Sequence, residues 1–494
     1  MSATFETRVT ERQILLVGPY GVLGTGVIDA VAENPKWGIT TAARRPPPTY
    51  RTQAAPPHIS VDLMDREGTT KAFSSLDKVT DLVFAAYVEK PTMAETVEPN
   101  ARMLKNTLDA LAARNVPLQR VMLAGGAKSY GFNLGSFNAP AKETDPRLIA
   151  PIHYHLQEDI VADWAAKNGA SWTVLRPHMV MGPSLNSPMN LVTSLATYAA
   201  MTRELGLPLR FPGNKEGWNT LQETTDAELF GRATLWALGE DKARNEIFNI
   251  SNGDVYRWRQ LWNELAAFYG LPIAEPLAMS TVSEMSEKAP LWESMVARYG
   301  LHVTPYNQIA NWAFVDWMLN FREETIQSTI KIRQAGFAEC IDTHQSFRRQ
   351  LTRLSDLRII PAPMYPLDVH IVANSSLAWS DFMPVGFDPG MQLAIINGDP
   401  GKTGDYTVRL QFPAGYRFPV HWHPRAENLT VVSGTFQLAM GSTANGNALR
   451  NYAPGDYIYV PPGHAHFGGS AAQGPSVIQL HGEGPFQVML GAPK

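Results

Sequence analysis

The sequence predicts an α/β protein: a doubly wound parallel sheet with a mainly helical lobe on its ligand side, followed by an all-β barrel. Three observations carry this. From residue 13 to about 180, short apolar runs (Ile14 to Val17, Asp81 to Ala86, Val121 to Ala124) alternate with longer amphipathic stretches, the rhythm of strands joined by helical crossovers. From about 183 to 361 the pattern is mostly helical and rich in Trp, with apolar and polar residues mixed through Trp258 to Tyr269 and Phe314 to Gly336. Beyond that, short strands such as Tyr406 to Phe412, Leu429 to Val432 and Tyr457 to Val460 are separated by Gly, Pro and Asn turns.

The division between the halves is written in proline. Ile359 to Pro366 reads Ile-Ile-Pro-Ala-Pro-Met-Tyr-Pro, which forbids a regular helix and suits a stiff connection. The predicted organisation is residues 1–361 as one α/β unit (nucleotide core about 13–182, substrate lobe mainly 183–361), 362–375 as linker and 376–494 as barrel. A chain of 494 residues needs more than one core.

Hydrophobic content of 44%, charged content of 18% and a formal net charge of -4 are globular values with no basic stripe, so a nucleic-acid partner is not expected. No run of about 20 apolar residues suggests a membrane span, and Met1 to Thr10 lacks the apolar stretch of an export signal. The one cysteine, Cys340, reads as a packing residue of a protein in a reducing compartment. A cytoplasmic enzyme is the expectation.

The run Ile14-Leu-Leu-Val-Gly18-Pro-Tyr-Gly21-Val22-Leu23-Gly24 is a buried strand, a tight glycine turn and a helix start. Glycines there let backbone approach a pyrophosphate whose charge the helix N-terminus favours. The spacing Gly-x-x-Gly-x-x-Gly matches extended short-chain dehydrogenases. The second strand, Gly38 to Ala43, ends in Arg44-Arg45 where an NAD enzyme would place an acid. Two guanidiniums suit a 2′-phosphate, so NADPH is the expected cofactor. Asp62, with Leu63 beside it, ends the third strand where the adenine amino group would lie.

Val121-Met-Leu-Ala-Gly-Gly-Ala-Lys128-Ser-Tyr-Gly131 and His153-Tyr154-His155-Leu-Gln-Glu158-Asp159 resemble the progesterone 5β-reductase and iridoid synthase family. So do Leu205 to Gly213, Asn245 to Trp258 and Asp356 to Pro361, giving a resemblance from about 13 to 361. It implies NADPH-dependent reduction of the C=C bond of an enone or enal, or reductive cyclisation of a dialdehyde, on a small hydrophobic carbonyl substrate. The family's lysine falls on Lys128. Its Asn-Phe-Tyr-Tyr-x-x-Glu-Asp motif, aligned on Glu158-Asp159, places Tyr154 and His155 on the two tyrosines, so only one phenol remains. Tyr154 is taken as the oxyanion donor with His155 as the alternative, and Lys128 is expected to lower the phenol's pKa and orient the nicotinamide ribose. Arg176-Pro177, with Val180 and Gly182 beyond, resembles the family's segment beside the nicotinamide. Trp218 reads as either cavity wall or core.

Gly415-(five residues)-His421-Trp-His423-Pro-Arg-Ala-Glu427-(six residues)-Gly434 reproduces the first cupin motif. Gly455-(five residues)-Pro461-Pro-Gly463-His464-Ala-His466 reproduces the second, with Ser470 where asparagine is usual. The expected fold of this half is therefore a jelly-roll barrel after the Rossmann-type sheet. His421 and His423 share a strand face by period two, and Glu427 and His466 are expected from neighbouring hairpin strands. The set suits one divalent transition metal, Fe, Mn, Ni or Zn, and His464 reads as a loop residue.

Three functions are compatible with these residues. The first is an ene-reductase with a metal cupin of possible second activity. The second is a carbonyl reductase whose cupin serves dimerisation or ligand binding, a homodimer being expected. The third is a sensor that holds NADPH without turnover.

Overall fold

The computed structural model describes residues 12–51, 55–135, 137–363 and 372–493. The chain forms two compact units that part between residues 366 and 367. Most of the proline-rich connection, residues 364–371, lies outside the described residues.

Among the described residues the first unit is built on seven parallel strands: β1 (Arg12–Val17), β2 (Trp37–Ala43), β3 (His58–Ser60), β4 (Asp81–Phe84), β5 (Arg120–Ala124), β6 (Ser171–Pro177) and β7 (Glu246–Ile250). Their order is β3-β2-β1-β4-β5-β6-β7, so the winding reverses between β1 and β4 and leaves a crevice at their carboxyl ends. Ile14 to Val17 are all fully buried because helices cover both faces of the sheet. Ile14 and Leu16 pack into one layer with Val27, Met122 and Phe230. Leu15 and Val17 pack into the other with Leu104, Val121 and Val174.

Helix α1 (Val22–Ala32) crosses the helix Ala227–Gly239 at Gly26 and Gly231, where a Cβ on either would meet the other helix's backbone. That close crossing fixes the first turn of α1 at the crevice. Helix α2 (Arg66–Ala72) is capped by the Asp65 carboxylate. Helix α3 (Met93–Ala113) opens with a capping box between Thr92 and Glu95, and α4 (His153–Asn168) ends at Gly169 in the left-handed region.

The helical lobe packs around Trp258, Trp262, Phe268, Trp292 and Leu351, with Ile359 and Ile360 closing the same core. The segment Phe314 to Gly336 is not one helical stretch. It splits into Trp312–Leu319 and Ile330–Ala335. Between them the chain makes bridges to Gln222 and Ala141, with Ala141 N donating to the Ile326 carbonyl and the Ala141 carbonyl accepting from Ser328 N, so tertiary pairing overrides local helix pattern. Cys340, read as a packing residue, is exposed.

The second unit faces a six-stranded sheet against a five-stranded one, both antiparallel. Along Gly404–Phe412, Tyr406, Val408, Leu410 and Phe412 are buried and the residues between them are not, the period-two pattern of a strand with one face on a core. Leu429, Val431, Phe436, Leu438, Ile478 and Leu480 complete that core.

Candidate active-site cleft and metal centre

A cleft of about 410 Å3 opens at the switch point of the parallel sheet. Gly18 has φ +82°, and a Cβ there would lie 2.6 Å from the Ala85 carbonyl, so the turn after β1 admits only glycine. A Cβ on Gly24 would lie 2.6 Å from the Pro19 carbonyl. Gly21 differs: its nearest neighbour would be 4.0 Å away, so its bare backbone is not demanded by the protein's own packing and leaves room for a ligand. Gly21 caps α1 with no side-chain bond, and the first turn holds no acid. The free amides at Val22 and Leu23 therefore present the positive end of the helix to the cleft.

Arg44, Arg45, Asp62 and Leu63 line the same end. The two arginines do different work. Arg45 Nη1 donates to the carbonyls of Leu185 and Asn186 at 3.2 and 3.0 Å, so it ties down a neighbouring loop. Arg44 is exposed and is the guanidinium available to an anion. One oxygen of Asp62 accepts from Met64 N at 3.0 Å, leaving the other for a donor such as an exocyclic amine.

The opposite end is lined by Lys128, His153, Tyr154, Pro177, His178 and Val180, with Phe314, Trp317 and Met318 forming an apolar wall. Tyr154 stands in the first turn of α4. A Cβ on Gly126 would lie 2.9 Å from its Oη, so the bare Gly126 after β5 is what lets the phenol lie over the end of that strand. Burial, reinforced by the Glu89 carboxylate, pushes the phenol's pKa up, so it keeps its proton. This corrects the expectation that Lys128 lowers it. Lys128, itself pushed down by burial, sits 5.9 and 5.6 Å from the ring centroids of Tyr87 and Trp317. The residue it acts on is His153, where burial and then that ammonium lower the imidazole to about 3.

His155 turns away from the cleft. Its Nε2 lies 3.2 Å from the Ser129 carbonyl, because successive residues of a helix point about 100° apart and Tyr154 takes the cleft face. Arg176 is also outside: it is buried against the Tyr130 ring and paired to Glu158 at 2.7 Å. Gly182 is a packing glycine, since a Cβ there would meet Ala227 Cβ at 2.6 Å. Trp218 packs on Phe211 in the lobe core, ring centroids 4.9 Å apart.

Sequence reasoning missed the wall and His178, and gave His153 no role. Phe314, Trp317 and Met318 fall at i, i+3 and i+4 of one helix, a spacing that would have marked a shared face. His178, immediately after Arg176-Pro177, is 1% exposed, and neither ring nitrogen has a hydrogen-bond partner among the described residues. Burial alone lowers it to about 3, so it faces the cleft as a neutral imidazole.

In the barrel, His421 and His466 are cross-strand partners in the five-stranded sheet, and His423 follows one residue past the strand Arg417–Trp422. Glu427 starts a strand of the facing six-stranded sheet, not of a neighbouring hairpin in the same sheet, so the four groups meet between the layers. Nδ1 of His421, His423 and His466 lies 2.9, 2.8 and 3.0 Å from a backbone carbonyl of Pro419, Gln487 and His464 respectively. A carbonyl only accepts, so each Nδ1 carries the proton and each Nε2 presents a lone pair. Glu427 Oε2 lies 3.3 and 3.5 Å from Nε2 of His423 and His466. Burial pushes Glu427 up to about 8 and His421 and His423 down to about 3 and 4. Three neutral imidazoles, with donor atoms within 4.8 Å of one another, and a carboxylate oxygen without a hydrogen-bond partner fit a divalent cation. His464 is exposed in the preceding loop, and Ser470 Oγ is spent on the Gly474 carbonyl at 2.8 Å.

A doubly wound parallel sheet with this glycine turn at its switch point, and a tyrosine and a lysine at the far end of the cleft, defines an extended short-chain dehydrogenase/reductase. The comparisons agree: residues 60–361 match the PRISE-like Rossmann-fold domain, and residues 368–487 match the ChrR cupin-like domain. The chain belongs to the PRISE-like family, with a cupin domain C-terminal to it. It is 32% identical to (S)-8-oxocitronellyl enol synthase of Camptotheca acuminata over 365 residues, 70% of this chain and 93% of that enzyme. It is 31% identical to 3-oxo-Delta(4,5)-steroid 5-beta-reductase of Arabidopsis thaliana over 367 residues, 71% and 94% of the two chains. UDP-glucuronic acid 4-epimerase from Bacillus cereus, solved in complex with NAD, shares the fold at a TM-score of 0.50 and 13% identity, covering 70% of this chain and 99% of that one. Among the described residues no helix is long and apolar enough to cross a membrane.

Proposed function

We propose that the first unit reduces the C=C bond of an α,β-unsaturated carbonyl compound with NADPH, and that the barrel binds one divalent transition metal ion. The observation that carries the first reading is the Tyr154 phenol, protonated by burial and lodged against Gly126 in a cleft that joins a glycine turn to an apolar wall. NADPH, when bound, supplies a hydride to the β-carbon. Gly18, Gly21 and the start of α1 hold the pyrophosphate, and Arg44 holds the 2′-phosphate. Tyr154 donates a hydrogen bond to the carbonyl oxygen as enolate charge collects there. Phe314, Trp317 and Met318 seat the hydrocarbon part of the substrate. Purified protein should oxidise NADPH with enals, cyclic enones or steroid enones and release saturated carbonyl products. Allylic alcohols as products would move the reading to carbonyl reduction.

Arg44→Ser is expected to lower the preference for NADPH over NADH by about 10–100-fold in kcat/KM, the loss of a charge-assisted contact of about 1.5–3 kcal/mol. An unchanged ratio would remove Arg44 from the 2′-phosphate site. For the barrel, His421→Ala with His466→Ala should drop bound metal, measured by elemental analysis after dialysis, from about one per chain to background. Retention of metal by the double variant would refute the four-residue centre.

A further inference from the structure

We propose that the metal centre of the barrel accepts at its open positions only water, hydroxide or a slender ligand of two or three heavy atoms, and does not act on the carbonyl compound reduced in the first unit. The proposal rests on the metal-binding reading above. The cavity over the four donors is about 40 Å3, against about 410 Å3 for the cleft of the parallel sheet. An apolar cavity that admits benzene is about 150 Å3, and sites for organic ligands run to about 300–1,000 Å3.

The walls say the same. Apart from His421, His423, Glu427 and His466, the described residues lining the cavity are all apolar. An organic substrate therefore finds no second hydrogen-bonding group to orient it, whereas a small ligand needs only the ion. The rim is aromatic. Phe387 meets His421 edge-on with ring centroids 5.1 Å apart, and Phe486 stacks on His423 at 5.1 Å and 15°. Both phenylalanines line the cavity and are partly buried against the two imidazoles.

The test uses the full chain loaded with Co(II), whose visible d–d bands report its ligands, titrated with azide and separately with catechol. Azide should shift the bands along a saturable isotherm and catechol should leave them unchanged. Phe387→Ala and Phe486→Ala, each checked for one bound Co(II) per chain, should tighten catechol binding at least tenfold with little change for azide. Catechol binding to the unaltered protein as readily as azide would overturn the size restriction. A cobalt spectrum indifferent to azide would overturn it too, by showing a centre with no accessible position. Failure of the chain to take up Co(II) at all is a different result, since it removes the metal-binding reading itself.

Discussion

Tyr154→Phe is expected to lower kcat for enone reduction by about 10²–10³-fold, or about 2.7–4 kcal/mol, the cost of deleting one oxyanion donor from a preorganised site. The dissociation constant for NADPH should stay within about twofold, because the groups proposed to hold the nucleotide, Gly18, Gly21, Arg44 and the start of α1, line the other end of the cleft. The ring of the variant keeps the packing against Gly126, so only the hydroxyl is removed. His155→Phe is the control: its imidazole lies on the Ser129 carbonyl outside the cleft, and its kcat should change far less. A Tyr154→Phe protein that turns over at the unaltered rate would end the enolate-donor role.

The second large effect is on stability. Glu158 is 2% exposed and accepts from Arg176 Nη2 and Nε at 2.7 and 3.1 Å. Arg147 bonds its other oxygen at 3.0 Å. Burial alone would lower the Arg176 guanidinium, but the Glu158 carboxylate and the Tyr130 hydroxyl, which accepts from Arg176 Nη1 at 3.0 Å, raise it. Glu158→Ala leaves that cation buried and unpaired, which costs about 3–5 kcal/mol. The first unit should unfold at a correspondingly lower denaturant concentration, followed by tryptophan fluorescence, since all but Trp379 and Trp422 of the 12 tryptophans precede residue 366. Combining Glu158→Leu with Arg176→Met should recover most of the loss, because an apolar pair of similar volume can replace a buried ion pair at little cost. A Glu158→Ala midpoint close to that of the unaltered protein would show that the pair contributes nothing to the fold.

The division of labour between Tyr154 and Glu158 is the reason a single helix turn needs both. Four residues apart on α4, they lie one turn above the other. The first reaches the cleft over Gly126, and the second reaches behind β6 to Arg176. The position that carries a lysine in many short-chain enzymes is thus occupied by a structural carboxylate. The cleft's lysine comes instead from the short turn after β5, which positions its ammonium against Tyr87, Trp317 and His153, while burial and the Glu89 carboxylate raise the phenol.

Much of the architecture was legible because its signals are local. The glycine turn after an apolar run, the alternation of strand and helix, the period-two burial of Gly404–Phe412 and the His-x-His spacing are each fixed by the geometry of a few consecutive residues. So the parallel sheet, the barrel and the places of Gly18, Gly21, Arg44, His421 and His466 could be read from the chain. Other features are decided by contacts between distant residues and carry no comparable local signal. The phase of α4 that sends Tyr154 into the cleft and His155 out of it, the capture of Arg45 by the carbonyls of Leu185 and Asn186, and the wall contributed by Trp317 all depend on packing across many elements. So does the arrival of Glu427 from the facing sheet. The sequence by itself determined which chemical groups each half of the protein carries. Only the tertiary structure decided which of them share a cavity, how large that cavity is and which protons they hold, because volume and burial are sums over long-range contacts.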